Sequence, residues 1–370
     1  MDISLYPVIF ADTRRSSFIN TTSLCEGKIS WQKNLADNDE LTFYPRAILI
    51  SGNLIFAYSN DFIAAFNTNG IKKWTRNIRP GSPVSIDNNL IYYRNPEAYD
   101  ELSAVTFDNK TEDKKMWLLE SDDACTPLYI EPLESSFLAL CQCISPPEQG
   151  KSMFLYYKKE YTTENFTWVE NIYGRTQIPP LHFTESDHFV VFAPGEIIIY
   201  NSAAKKNGDN IINHFQYPLK TIISASGDKD GVIYLFGENE DRLVLSAMDQ
   251  TGKERWNWLG PPKSFSLKFK QPPIIGVNNS IHLIIGTRVI TIREGQILNE
   301  YSTGNEQIDY CSAIADGSIF ISADNWLYQI DSNGLERIKI QIDDKILTPP
   351  VIDSEGNVFI STSNKIIKIK

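Results

Sequence analysis

Residues that could carry out acid–base or metal chemistry are few in this chain and lie far apart. The chain has only 4 His. His182 and His188 flank one predicted hairpin, and Glu185 or Asp187 between them could complete a metal site. The same segment is typical of a polar loop that joins two strands. We therefore expect no catalytic residue and no metal site, and the chain is more typical of a binding protein than of an enzyme.

The segment Asp228-Lys229-Asp230-Gly231 has some likeness to the start of a calcium loop. The oxygen pattern and the closing Glu of such a loop are missing, so a β-turn is the better interpretation. The motif Gly-x-Ser-x-Gly, a glycine-rich phosphate loop and His-Glu-x-x-His are all absent from the sequence. The residues thus predict no cofactor, and they give no support for calcium or a quinone.

Charge and hydropathy exclude two classes of partner. Lys and Arg total 35 against 46 Asp and Glu, which gives a net charge of −11. Because this field repels phosphate backbones, we expect no nucleic-acid binding. No apolar run approaches the ~20 residues of a membrane helix, so we expect no membrane span. Residues 1–10 lack the pattern of a signal peptide, and the 5 dispersed Cys do not indicate a disulfide framework.

A short pattern recurs along the chain and indicates its architecture. A small residue, an Asn or Asp, a glycine and a tryptophan stand at offsets 0, +2, +5 and +9. The copies are Ala247, Asp249, Gly252 and Trp256; Ala65, Asn67, Gly70 and Trp74; and, with two substitutions, Gln329, Asp331, Gly334 and Ile338, while Gly27 and Trp31 keep the final step. Four copies in register are hard to obtain by chance.

Each position of the pattern has a physical reason. The Asn or Asp side chain can cap a turn by accepting hydrogen bonds from backbone N–H groups two residues on. The glycine adopts the positive φ that a tight hairpin requires. The tryptophan lies on the outgoing strand, where its wide ring can cover the neighbouring sheet.

Apolar strands that follow a proline divide the chain into units of about 40 to 50 residues with four short strands each, which is typical of a β-propeller. The prolines are Pro45, Pro83, Pro127, Pro180, Pro273 and Pro350. The gaps from Pro180 to Pro273 and from Pro273 to Pro350 are about twice as wide as the others. We therefore expect one further first strand within each gap, near Ser226 and near Ser312. Proline suits the first residue of a strand because it has no N–H to donate.

The sequence therefore predicts an all-β fold, an eight-bladed β-propeller of four-stranded antiparallel blades, with seven blades as the alternative. We expect one domain over residues 1–370, in which residues 25–370 build the ring. Residues 28–33 should complete the last blade and close it. Residues 1–24 resemble a further hairpin, which is not needed to complete the eight blades.

The spacing Ala-x-Asp-x-x-Gly-x-x-x-Trp at Ala247 to Trp256 resembles the tryptophan-docking repeat of pyrroloquinoline-quinone-type propellers. That family includes quinone-dependent dehydrogenases, BamB-like scaffolds of outer-membrane protein assembly, and sensor or adhesion domains. The dehydrogenases hold calcium and use an Asp base, and many have adjacent cysteines, a pair that this chain lacks. The resemblance favours the non-catalytic branch and an extracytoplasmic site after leader removal, while the cysteines are also compatible with a reducing cytosol.

Irregular loops are the most informative candidates for contacts with a ligand or a partner, because loops on a rigid frame carry variable function. The candidates are Tyr99, Asp100, Glu148 and Tyr161, together with Trp258, which we expect outside the buried environment of Trp256. We predict a protein or peptide partner, bound across face loops or at a blade edge, by a chain that is a monomer or part of a hetero-complex. The alternatives are a small quinone-dependent dehydrogenase and a glycan-binding propeller.

Overall fold

The computed structural model describes residues 18–19, 25–35, 45–87, 90–96, 101–109, 114–118, 125–132, 136–143, 152–158, 166–172, 178–183, 185–201, 210–262 and 271–370. Over these ranges the structure consists of short β-strands and a single 3-10 turn at Val277–Asn279. No helix in the described part of the chain is long and apolar enough to cross a membrane.

The strands of the N-terminal half follow one another at short intervals. In chain order they are β1 (Phe18–Ile19), β2 (Ile29–Asn34), β3 (Ala47–Ser51), β4 (Leu54–Tyr58), β5 (Phe62–Asn67), β6 (Lys72–Asn77), β7 (Ser85–Asp87), β8 (Leu90–Arg94), β9 (Glu101–Thr106), β10 (Lys114–Leu118), β11 (Cys125–Pro132), β12 (Ser136–Cys143), β13 (Ser152–Lys158), β14 (Phe166–Ile172), β15 (Leu181–Phe183), β16 (His188–Ala193), β17 (Glu196–Asn201) and β18 (Ile211–Gln216).

The C-terminal half continues the same pattern. Its strands are β19 (Thr221–Gly227), β20 (Ile233–Asn239), β21 (Arg242–Met248), β22 (Glu254–Pro262), β23 (Ile274–Ile275), β24 (Ile281–Ile285), β25 (Arg288–Arg293), β26 (Gln296–Ser302), β27 (Ile308–Ile314), β28 (Ile319–Ala323), β29 (Trp326–Ile330), β30 (Glu336–Gln341), β31 (Val351–Ile352), β32 (Val358–Ser361) and β33 (Lys365–Ile369).

Consecutive strands pair into sheets. Seven sheets have four strands each, in the orders β3 to β6, β7 to β10, β11 to β14, β15 to β18, β19 to β22, β23 to β26, and β31-β32-β33-β2. A further sheet contains β27 to β30 and carries β1 as a fifth strand. β1 pairs in parallel with β27, and Phe18 stands opposite Ala313.

The prediction of eight four-stranded blades is therefore wrong as stated. Seven sheets have the four-stranded antiparallel form, as in the seven-blade alternative, and the sheet that contains Ser312 has five strands because β1 adds to the edge formed by β27. Of the hairpin predicted within residues 1–24, β1 is described, and it pairs in parallel with β27. The other residues of 1–24 lie outside the described residues.

The predicted closure by the N-terminal strand is confirmed. β2 pairs antiparallel with β33 and supplies the outer strand of the last sheet, with Trp31 opposite Lys368. The first strands predicted without a proline are also present, because β19 contains Ser226 and β27 contains Ser312.

The chain divides into two compact units. The first contains Met1–Val8, Leu49–Pro180 and Asp187–His214, and the second contains Ile9–Ile48, Leu181–Ser186 and Phe215–Lys370. In the first unit the middle strands β4, β5 and β8 are buried along almost their whole length, whereas the outer strand β6 alternates between exposed and half-buried residues. A strand covered on both faces has a continuous apolar sequence, and a strand with one solvent-facing side alternates.

In the second unit the core lies between neighbouring sheets. One cluster joins β20 and β21 to β24 and β25, for example through Leu245 and Ile290. A second joins β25 to β27, β28 and β29, and a third joins β28 and β29 to β32 and β33. The sheets of β23 to β26 and of β27 to β30 thus each contribute apolar side chains to two interfaces, which fixes the positions of the turns and outer strands that carry the candidate site.

Candidate functional site

The turns that precede β6, β22 and β30 share one hydrogen-bonding geometry. Oδ1 of Asp249 accepts hydrogen bonds from the backbone N–H groups of Thr251 and Lys253, at 2.9 and 3.1 Å. Asn67 and Asp331 make the same pair of bonds in their own turns, to residues two and four positions ahead. These bonds satisfy N–H groups that face no strand, so the sequence positions predicted to cap the turns do accept the expected hydrogen bonds.

A β-bulge follows each of these turns, a feature that the sequence analysis missed. Ala247 stands opposite Trp256 and Met248 stands opposite Glu254, so Arg255 is the extra residue of the outer strand. The equivalent extra residues are Lys73 in β6, Leu298 in β26, Arg337 in β30 and Ser30 in β2. Because a bulge interrupts the row of backbone groups and its extra residue is unpaired, it weakens the outer strand as a template for another chain.

The outer strands of the second unit lie against the turn of the next sheet. A Cβ atom added to Gly252 would lie 2.7 Å from the Phe215 ring, and one added to Gly27 would lie 3.1 Å from Ile338. A Cβ on Gly295 would lie 2.7 Å from the carbonyl oxygen of Asn257 and 3.7 Å from the Trp256 ring. In the second unit, an outer strand therefore repeatedly lies close to the glycine turn of the following sheet.

In the first unit the equivalent tryptophan makes a hydrogen bond as well. Trp74 Nε1 donates to the carbonyl oxygen of Phe107 at 2.8 Å. Phe107 packs on Phe56, with ring centroids 5.0 Å apart, and Trp74 lies 6.0 Å from the same Phe56 ring. Trp31 at the closing strand contacts Phe359, with centroids 6.1 Å apart.

Three exposed aliphatic side chains form what we call the rim patch, defined as Ile297, Leu298 and Leu335. Their exposed fractions are 51%, 50% and 60%. Asn299 Nδ2, next to Leu298, donates a 3.1 Å hydrogen bond to the carbonyl oxygen of Ser332 in the turn that leads to Leu335. The patch thus extends from the outer strand of one sheet to the start of the outer strand of the next.

The bulge residue of β26 differs from those of β6, β22, β30 and β2. Lys73, Arg255, Arg337 and Ser30 are charged or polar and exposed, whereas Leu298 is an exposed aliphatic residue beside the exposed Ile297. Charged side chains at sheet edges discourage unwanted association, and two aliphatic side chains at the same place favour it. A similar exposed pair, Ile211 and Ile212, begins β18 in the first unit.

A cleft of about 470 Å³ opens beside the rim patch, between the sheet of β23 to β26 and the sheet of β27 to β30. Its walls include Asn278, Arg293, Tyr301 and Asp316 together with apolar residues such as Ile319. Leu298 also lines it, so the rim patch and the cleft share one border. The cleft has the size of sites that hold small molecules, roughly 300–1,000 Å³.

Two nitrogen-bearing side chains in the cleft are incompletely hydrogen-bonded. Nε of Arg293 is buried and has no hydrogen-bond partner among the described residues. His282 is 4% exposed, and its Nδ1 lies 3.0 Å from Thr291 Oγ1. Burial lowers the pKa of His282 to about 4, so its ring is neutral at pH 7.

Tyr301 links the two sheets at the cleft. Its hydroxyl donates a 2.6 Å hydrogen bond to Glu336 on β30. Burial, together with this carboxylate, raises the pKa of Tyr301, because both disfavour the phenolate. The phenol therefore stays protonated at neutral pH and acts as a donor that holds the walls together.

No family model matches the chain, and no curated protein matches it. Solved structures match it along most of its length. BamB from Moraxella catarrhalis is 10% identical over 92% of this chain and 96% of its own, with a TM-score of 0.59. The computationally designed Ika8 protein is 13% identical over 91% and 99%, with a TM-score of 0.61. The quinohemoprotein alcohol dehydrogenase ADHIIG from Pseudomonas putida HK5 is 9% identical over 97% and 79%, with a TM-score of 0.63.

The fold is a β-propeller. At these identities the likeness concerns the fold alone, and what each of these proteins binds or catalyses remains a property of that protein. The sheets described above are therefore the blades of a propeller, and the rim patch and the cleft lie at the border of two neighbouring blades.

The predicted contact residue Trp258 is not available at the propeller surface. Its side chain is 7% exposed and belongs to the cluster between β21 and β24. The prediction was wrong because Trp258 and Trp256 are two residues apart in regular pairing, opposite Leu245 and Ala247, and so share one face of β22. Stacking of a glycan on Trp258 is excluded by this burial. The other predicted contacts, Tyr99, Asp100, Glu148 and Tyr161, lie outside the described residues.

The acidic turn at Asp228 and two of the cysteines have defined surroundings in the propeller. Asp228 forms a turn in which its Oδ1 accepts from Asp230 and Val232 N–H, and its Oδ2 accepts from the Tyr234 hydroxyl at 2.7 Å. In the described ranges no group of three or more His, Cys, Asp or Glu is placed to hold a metal ion. Cys25 and Cys311 form no disulfide, and burial raises the pKa of the Cys311 thiol.

Proposed function

We propose that this propeller is a scaffold that binds a protein or peptide partner through the rim patch. The observation that carries the proposal is the identity of the β26 bulge. At the position where β6, β22, β30 and β2 have Lys73, Arg255, Arg337 and Ser30, β26 has Leu298, directly beside the exposed Ile297. Two exposed aliphatic side chains at this edge of β26, where the four other strands have polar or charged ones, favour contact with an apolar partner surface.

The partner is expected to contact side chains more than backbone. The bulge at Leu298 interrupts the register between Thr291 and Ile292, so the first half of β26 offers a poor row of backbone groups for strand addition. Fully burying a leucine or isoleucine side chain contributes roughly 1.5–3 kcal/mol. Three partly exposed side chains can therefore supply the centre of a small interface, surrounded by polar residues such as Asn299 and Glu300.

Within the propeller class, we place the chain among the pyrroloquinoline-quinone-type repeat propellers of the non-catalytic branch. The capped turns of Asn67, Asp249 and Asp331 and the contacts of Trp74 and Trp256 with the following blade support the assignment to these repeats. The choice of the non-catalytic branch follows from the sequence, which has no adjacent cysteines. They are the features expected of a tryptophan-docking repeat, in which one blade is held on the next by an aromatic ring.

The proposal is tested by selecting short peptides for binding to the full chain from a random display library. Selected peptides should be rich in apolar residues, and their affinity should fall at least about tenfold for Ile297→Lys, a change of about 1.4 kcal/mol. Leu259→Lys is the matched control, because Leu259 is 60% exposed on the neighbouring outer strand β22 and lies outside the patch. Peptides that bind the two variants equally well would contradict the proposal.

A further inference from the structure

The cleft beside the rim patch contains a cation that the described residues leave without an acceptor. Arg293 ends β25, its side chain is half-buried, and its Nε atom is buried without a hydrogen-bond partner. Leaving a buried donor unsatisfied is costly, and the cost is larger when the group is charged. Arg293 is also the only Arg or Lys among the described residues that line the cleft.

The carboxylates of the cleft are engaged elsewhere and do not pair with Arg293. Asp331 accepts hydrogen bonds from the backbone of its own turn and forms an ion pair with Arg337, at 2.6 Å. Asp316 Oδ1 accepts from the backbone N–H of Ser318 at 2.8 Å. A guanidinium presents a planar fork of donors that matches a carboxylate in two parallel hydrogen bonds. The free side of Arg293 is thus suited to a carboxylate from outside the chain.

The rest of the cleft is suited to a short apolar body. Val289, Ile319 and Ile330 line it, and Tyr301 adds an aromatic ring that is fixed by its bond to Glu336. His282 is neutral at pH 7 and presents no second positive charge, but its Nε2 has no hydrogen-bond partner among the described residues. The Nε2 atom of His282 can therefore form one hydrogen bond with a polar atom of a ligand, as donor or acceptor depending on the tautomer.

We propose that this cleft binds a small amphipathic monocarboxylate, whose carboxylate is held by Arg293 and whose apolar part lies on Val289, Ile319 and Ile330. The cleft volume of about 470 Å³ is sufficient for a ligand of this class. This inference does not rest on the rim patch as a partner site, because neither Arg293 nor His282 belongs to the patch.

The test uses two pairs of isosteres on the full chain: benzoate with benzamide, and hexanoate with hexanamide. Binding is followed by calorimetry at pH 7 up to about 10 mM ligand, which reaches affinities in the millimolar range. At least one carboxylate should bind, and its neutral amide should bind at least about tenfold more weakly, because the amide cannot form the charged pair of hydrogen bonds with Arg293. Equal binding of acid and amide, or binding of neither acid, would overturn the proposal.

Two variants locate the site. Arg293→Gln should abolish carboxylate binding, and Arg288→Gln should leave it unchanged, because Arg288 lies on the same strand but does not line the cleft and is ion-paired with Glu300 at 3.0 Å. Unchanged binding to Arg293→Gln would overturn the proposal. A measurement on the unaltered protein remains decisive if that variant does not fold: the ring NMR signals of His282 should shift when the carboxylate is added, and a titration that leaves them unmoved would place the ligand elsewhere.

Discussion

Trp74 donates its indole N–H to the carbonyl oxygen of Phe107, 33 residues ahead, at a distance of 2.8 Å. The bond runs from β6, the outer strand of one blade, to the residue that directly follows β9 in the next blade. Both residues lie in the first unit. Trp256 occupies the same position of the repeat in the second unit and lies 3.7 Å from the Cβ position of Gly295, but its indole donates to no described residue. Among the described residues, one repeat position therefore joins two blades by a hydrogen bond in one unit and by packing in the other.

Trp74→Phe should destabilise the chain more than Trp256→Phe. Both changes remove a similar ring area, but only Trp74→Phe leaves the Phe107 carbonyl without its indole donor. The difference between the two losses in the free energy of unfolding should be about 1 kcal/mol. Urea unfolding followed by far-ultraviolet circular dichroism measures it. Equal losses would show that the hydrogen bond contributes nothing beyond the packing of the ring.

Gly295→Ala should destabilise the chain more than Gly304→Ala. The two glycines have φ values of 78° and 84°, so an alanine at either position carries the same left-handed strain of about 1–2 kcal/mol. A Cβ at 295 would also lie 2.7 Å from the backbone oxygen of Asn257, whereas a Cβ at 304 has no atom within 4 Å. Overpacking should add about 1–3 kcal/mol at position 295. Thermal unfolding of both variants measures the gap, and its absence would contradict the close approach of β22 to this turn.

The charge of Asp249 should stabilise the chain only above acidic pH. The Thr251 side chain, which donates a hydrogen bond to the carboxylate, holds the pKa of Asp249 below its usual range. A lowered pKa in the folded state means that the carboxylate contributes stability above the unfolded pKa, near 3.9, and loses it as the pH falls through the folded pKa.

Asp249→Asn isolates this charge, because Asn67 shows that an amide makes the same capping bonds. At pH 6 the variant should be less stable than the native chain by less than about 1 kcal/mol, since Asp249 is only half-buried and solvent screens its charge. Near pH 2 the two should unfold at the same urea concentration. A difference that persisted at pH 2 would show that the bonds of the turn differ, and would contradict the assignment to charge. Asp249→Ala, which removes both bonds, should lose about 1–2 kcal/mol at either pH.

The repeat pattern was sufficient to predict the strands, the capped turns and the closure by β2, because Asn67, Asp249, Asp331 and the following glycines determine the geometry locally. The composition of the largest sheet could not be predicted, since the pairing of β1 with β27 depends on contacts between residues far apart in sequence. The bulges were missed for a related reason: an extra residue such as Leu298 becomes visible only when two strands are aligned in register.

The candidate site was beyond the reach of the sequence for the same physical reason. Arg293 and Asp316 belong to different blades and become walls of one cleft only after the blades pack. Leu298 has no sequence signal except that the equivalent positions hold Lys73, Arg255 and Arg337, a comparison that requires the bulge to be known. Trp258 was misplaced because a residue two positions from Trp256 returns to the same face of its strand.

Hydrogen exchange of the full chain, followed by mass spectrometry with and without a selected peptide, tests the proposed scaffold function most directly. Binding should slow exchange in segments that contain Gln296–Ser302 and the turn before Leu335, because the partner covers the rim patch. Exchange around Leu259 on β22 should not change. Protection confined to other blades, or no protection at all with bound peptide, would contradict the account.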